Sequence, residues 1–90
     1  MLFRSEFQAS TKVYPNPFTN VIHMTAGGFA LPLVKLEIRD IQGRLVRSQP
    51  VATINGMASV DMDLGVVPAG VYVGQWNAGN EVRTFRLIKR

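Results

Sequence analysis

Ninety residues, 47% of them hydrophobic and none of them cysteine, allow one small domain with a single core and exclude disulfides or a thiolate metal site. The longest uncharged stretch, Val13 to Val34, is broken by prolines, His23 and Gly27-Gly28, so it cannot be a membrane-spanning helix. Net charge is +4, and Arg83, Arg86, Lys89 and Arg90 crowd the last ten residues against Glu81 alone. Such a patch suits an anionic surface or an acidic partner, but it is too small and too poor in flanking aromatics for nucleic acid.

Residues 1–12 mix Ser, Gln, Thr and isolated apolar residues without a period, and are expected to be a linker arm. Met1-Leu2-Phe3-Arg4 lacks the basic segment and apolar run of an export signal, so any such signal is expected further upstream. From Val13 onward the chain reads as short strands separated by turn signals. Lys12 to Tyr14 is a short strand stopped by Pro15-Asn16-Pro17, since two prolines lack the N–H groups a ladder needs. Asn20 to Thr25 resumes an extended path, and Gly27-Gly28 opens a loop.

Leu33 to Asp40 carries the clearest signal. Val34, Leu36 and Ile38 alternate with Lys35, Glu37 and Arg39, a period of two that no helix produces. Gln42-Gly43 turns the chain into a partner strand, Arg44 to Val51, and Asn55-Gly56 marks another tight turn. In Ser59 to Leu64, the residues Val60, Met62 and Leu64 alternate with Ser59, Asp61 and Asp63. Pro68-Ala69-Gly70 launches Val71 to Asn77, which is apolar on both faces and therefore expected in the middle of its sheet. Gly79-Asn80 leads into the last strand, Glu81 to Lys89. Seven strands and no useful helix signal predict an all-β, immunoglobulin-like antiparallel sandwich over residues 13–90.

These punctuation marks fall in a familiar order. Val13-Tyr14-Pro15-Asn16-Pro17-Phe18, Ile38-Arg39-Asp40-Ile41-Gln42-Gly43-Arg44, Pro68-Ala69-Gly70-Val71-Tyr72 and Leu87-Ile88-Lys89-Arg90 together make the chain resemble the C-terminal sorting domain of type IX secretion cargo. The resemblance spans nearly the whole of Val13 to Arg90. It implies an immunoglobulin-like sandwich that serves as an address label, met in the periplasm by shuttle proteins. It further implies passage through the outer-membrane translocon to the cell surface or medium, and in most members removal by a sortase-like peptidase at a point near or before residue 12. It implies no cofactor. The approach to Pro68, Leu64-Gly65-Val66-Val67, is longer than the family's pattern.

Each marked residue also has a plainer reading. Pro15-Asn16-Pro17 is a recognition loop or a rigid turn into the sandwich. Asp40 with Gly43 marks a binding loop or a hairpin whose carboxylate caps turn N–H groups. Gly70 and Tyr72 read as a turn glycine and a core tyrosine whose phenol needs a partner. Asp61 and Asp63 share a strand face, but calcium wants six to eight oxygens. The single histidine, His23, has no acid or cysteine cluster in sequence, and no nucleophile motif or phosphate loop is legible, so catalysis is not expected. Lys89, Arg90, Arg86 and Ile88 are the expected docking residues for translocon and sortase, with Lys89-Arg90 accessible at the end of an apolar strand. A second reading, an adhesive or carbohydrate-binding module, requires Trp76, Tyr14 or Phe29 to be exposed in one patch. Free strand edges also predict a homodimer by strand exchange.

Overall fold

The computed structural model describes residues 11–90, so the expected arm over residues 1–12 falls outside it except at Thr11 and Lys12. The alternating segments form seven strands: β1 (Lys12–Tyr14), β2 (Val21–Ala26), β3 (Leu33–Asp40), β4 (Leu45–Ala52), β5 (Ala58–Asp63), β6 (Gly70–Ala78) and β7 (Glu81–Lys89). They pair antiparallel in two sheets, β1-β2-β5 and β4-β3-β6-β7. No helix occurs among the described residues. This is the immunoglobulin-like sandwich expected from the sequence.

The core forms where the period-two patterns of the two sheets face each other. Val34, Leu36 and Ile38 of β3 meet Val60 and Met62 of β5 and Leu64 beyond it, and all six are buried. Phe18, Ile22, Met24, Trp76 and Leu87 complete the interior. Each such side chain contributes about 1.5–3 kcal/mol relative to its exposed state. The strand expected at a sheet centre, β6, does lie between β3 and β7.

Turn chemistry fixes the connections. Asn55 and Gly56 both have positive φ, 54° and 78°, and Ile54 and Met57 exchange both main-chain hydrogen bonds across them. That is the mirror-image turn that an Asn-Gly pair favours. Gly43, with φ of 89°, turns β3 into β4.

Two packing details on β6 and β7 were not legible as such. Gly74 faces inward beneath the Phe85 ring, so that a Cβ placed on it would sit 2.3 Å from two ring carbons. Phe85 thereby covers the bare backbone and stacks toward Trp76, at 6.0 Å between centroids. Arg83 also points inward and is 9% exposed. Its guanidinium donates to the Gly27 carbonyl at 2.5 Å, the Gly28 carbonyl at 3.3 Å and Glu81 Oε2 at 2.7 Å. It also lies 4.2 Å over the Phe29 ring. One strand of the four-stranded sheet thus grips the loop by which the chain crosses from the other sheet.

Candidate recognition site

Antiparallel pairing brings together segments that the sequence keeps far apart. β3 ends at Asp40, which pairs with Tyr72 near the start of β6. Gly70, at that start, pairs with Lys89 at the end of β7. Phe18 in turn bridges Lys89 on the far side. The four marked segments therefore lie side by side across one end of the four-stranded sheet.

The Asp40 turn follows the plainer of its two readings. Its Oδ1 accepts from the Gln42 N–H at 2.9 Å and the Arg44 N–H at 3.0 Å, while Oδ2 takes Arg44 Nε at 2.9 Å. The Arg44 main-chain hydrogen bond, ahead of its guanidinium, holds the Asp40 carboxyl below the usual carboxylate range. Arg39 closes the turn from within by donating to the Gly43 carbonyl at 3.0 Å, and it also meets Glu37 at 3.1 Å. That hydrogen bond is the leading reason why the Glu37 carboxyl also sits below its usual range.

Tyr72 is a buried core tyrosine whose hydroxyl donates to the Pro68 carbonyl at 2.5 Å, pinning the Pro68-Ala69-Gly70 turn. Between this turn and that of Asp40 lies an open groove of about 330 Å³, lined by Ile41, Arg44, Val46, Val67, Pro68 and Tyr72 among others.

Pro15-Asn16-Pro17 does more than turn the chain. The peptide bonds before both prolines are cis. The Asn16 side chain donates from Nδ2 to the Arg86 carbonyl at 3.0 Å and accepts at Oδ1 from the Ile88 N–H at 2.9 Å. A primary amide offers the same donor and acceptor as a peptide unit, so Asn16 stands in for a neighbouring strand. Phe18 continues the pairing: its N–H donates to the Ile88 carbonyl and its carbonyl accepts from the Arg90 N–H, each at 2.9 Å. The outer edge of β7 is thereby closed from Arg86 to Arg90, where an edge strand would otherwise present unpaired groups. Replacing Asn16 with alanine is expected to cost about 1 kcal/mol and to strip the Ile88 amide of its protection against hydrogen exchange, while Met24 keeps its own. Undiminished protection at Ile88 would mean that the amide is incidental.

Of the expected docking residues, Lys89 is not accessible as expected. Lys89 is buried, 9% exposed, and its Nζ donates to the Arg90 carbonyl at 3.0 Å. Leu87 must face the core, so residues at steps of two along the strand face it too: Arg83, Phe85 and Lys89. In the sequence itself, that parity follows from Leu87 as the inward residue. Arg86, Ile88 and Arg90 point outward and remain exposed.

The exposed aromatic patch that a carbohydrate-binding module requires does not form. Trp76 and Phe29 are buried and Tyr14 alone is exposed. Tyr14 instead faces His23, at 5.2 Å between ring centroids, and His23 Nδ1 meets Asp61 Oδ1 at 2.5 Å across the β2–β5 pair. Asp63 Oδ1 accepts from the Gly65 N–H at 2.9 Å. Among the described residues no group of three or more potential metal ligands assembles.

A family model described as a secretion system C-terminal sorting domain matches residues 12–90. No curated protein matches the chain.

Proposed function

Because the chain belongs to the type IX secretion system C-terminal sorting domain family, we propose that it is the address by which an attached cargo crosses the outer membrane. The family places it in export to the cell surface or medium. The observation that carries the finer reading is the gathering of all four marked segments at one end of the four-stranded sheet. Asn16, set between Pro15 and Pro17, holds β7 in place together with Phe18, while Asp40, Gly43, Pro68, Gly70 and Tyr72 fix the neighbouring turns. Arg86, Ile88 and Arg90 are offered to the partner, and Lys89 supports them from inside. In this reading the cargo precedes residues 1–12, and shuttle proteins and the translocon read the domain in the periplasm. A sortase-like peptidase then acts upstream of β1. The domain itself carries out no chemistry.

Deleting Lys89-Arg90 would confound recognition with stability, because the Arg90 N–H and the Lys89 side chain both belong to the folded structure. Reversing charge at the exposed positions separates the two. The double variant Arg86→Glu/Arg90→Glu, fused behind a reporter cargo in an exporting cell, is expected to retain its fold within about 0.5 kcal/mol per site. It should nevertheless leave the cargo in the periplasm. Normal surface delivery would refute a docking role for these cations.

A further inference from the structure

The outer faces of the two sheets differ in a way the proposed address function does not explain. On the three-stranded sheet, the outward residues are Lys12, Tyr14, Val21, His23, Thr25, Ser59, Asp61 and Asp63, a mostly polar face in which Val21 stands alone among aliphatic residues and acids outnumber cations. On the four-stranded sheet, the register sets outward residues in rows. Glu37, Gln75 and Thr84 form a polar row across β3, β6 and β7. Nearer the recognition end, Val73 sits between Arg39 and Arg86, and Val71 pairs with Ile88. Val71, Val73 and Ile88 are 40%, 36% and 38% exposed, although β6 is a central strand.

Charge is unbalanced at the same place. Among the described residues Glu37 is the one carboxylate on this face, and it is already met by Lys35 at 3.7 Å and Arg39 at 3.1 Å. Asp40 is taken by Arg44, and Glu81 by Arg83. No ion pair involves Arg86 or Arg90 among the described residues. An apolar centre with a cationic rim is the complement of an apolar protein surface with an acidic rim. The valines would lose water on contact, and the guanidiniums would speed and orient the encounter. A strand that needed only to fill the middle of a sheet could carry Thr at both valine positions at little cost.

We propose that Val71, Val73 and Ile88, rimmed by Arg39 and Arg86, form a docking face for an acidic-rimmed protein surface of the secretion machinery. The partner lies flat against the outer side of β6 and β7 as well as gripping the end of β7. This rests on the sorting reading and extends it from a chain segment to a sheet face.

The test measures binding of the 90-residue chain to the purified outer-membrane translocon with its shuttle protein in neutral detergent. Val71→Glu/Val73→Glu is expected to lower affinity at least tenfold. Thr25→Glu/Ser59→Glu, which adds the same charge to the opposite sheet, should bind as the parent does. Raising salt should weaken parent binding more than that of the Arg86→Glu variant. If the glutamates impair folding, Val71→Thr/Val73→Thr keeps strand propensity and should still weaken binding severalfold. Undiminished binding by the valine variants, with loss on Arg86→Glu/Arg90→Glu, overturns the face and leaves the sorting reading standing. Failure of the parent chain to bind overturns both. Sedimentation covers the remaining occupant: a valine variant that loses a dimer but still binds the translocon assigns the face to a second copy and ends the proposal.

Discussion

Replacing Arg83 with methionine is expected to cost about 3–5 kcal/mol, a large share of the roughly 5–15 kcal/mol that a folded domain has to lose. Methionine keeps the apolar stem and removes the fork. What is left behind are the Gly27 and Gly28 carbonyls, deprived of charged donors, and a Phe29 ring without its cation. Hydrogen bonds to a charged group are worth about 1.5–3 kcal/mol each, and the two from Arg83 to these carbonyls are lost. Lysine should not rescue the variant, because a single ammonium cannot reach both carbonyls and Glu81 in one plane. Urea unfolding would report the change as a shift in midpoint at constant slope. A loss under about 1 kcal/mol would show that the crossing loop holds its position without Arg83.

Gly74→Ala is expected to be the most damaging single-methyl addition to the domain, at about 1–3 kcal/mol and near the top of that range. The new carbon would fall 2.3 Å from Cε2 and Cζ of Phe85 and 2.9 Å from Cε1. A ring seated between a neighbouring strand and Trp76 cannot yield by rotating a flexible tip. The pair should behave as one unit. Phe85→Leu alone loses aromatic contact, whereas Gly74→Ala/Phe85→Leu should recover part of the alanine's cost, giving a coupling of at least about 0.5 kcal/mol in a double-mutant cycle. Strict additivity would show that the ring and the glycine do not share the space.

Local signals carried much of this architecture. Alternation in Leu33–Asp40 and in Ser59 to Leu64 is written in adjacent residues, and it placed six core side chains correctly. Asn55-Gly56 and Gly43 announce positive φ by residue type. The central position of β6 follows from valines on the face opposite Tyr72 and Trp76. What stayed hidden depends on register between distant strands. Nothing near Asn16 says that its amide will meet Arg86 and Ile88, more than seventy positions away in the latter case. Likewise, the pairing of His23 with Asp61 appears only once β2 and β5 are aligned. The basic end reads as a uniform patch along the chain, because neighbours in sequence lie on opposite faces of a strand. Alternation then sends Arg83 and Lys89 inward and leaves Arg86 and Arg90 outside.

The bridge between Phe18 and Lys89 is parallel, unlike every strand pair in the two sheets. Asn16 to Phe18 and Arg86 to Arg90 therefore run in the same direction, joined by four hydrogen bonds set side by side. A pull applied backward on the segment entering at Asn16 and forward on the segment leaving at Arg90 would slide the two past each other in shear. In that geometry the four bonds bear the load together, rather than parting one after another as in a zipper. Tension drawn through the domain along that line meets its mechanical clamp at the end of β7, where the proposed docking residues Arg86, Ile88 and Arg90 lie.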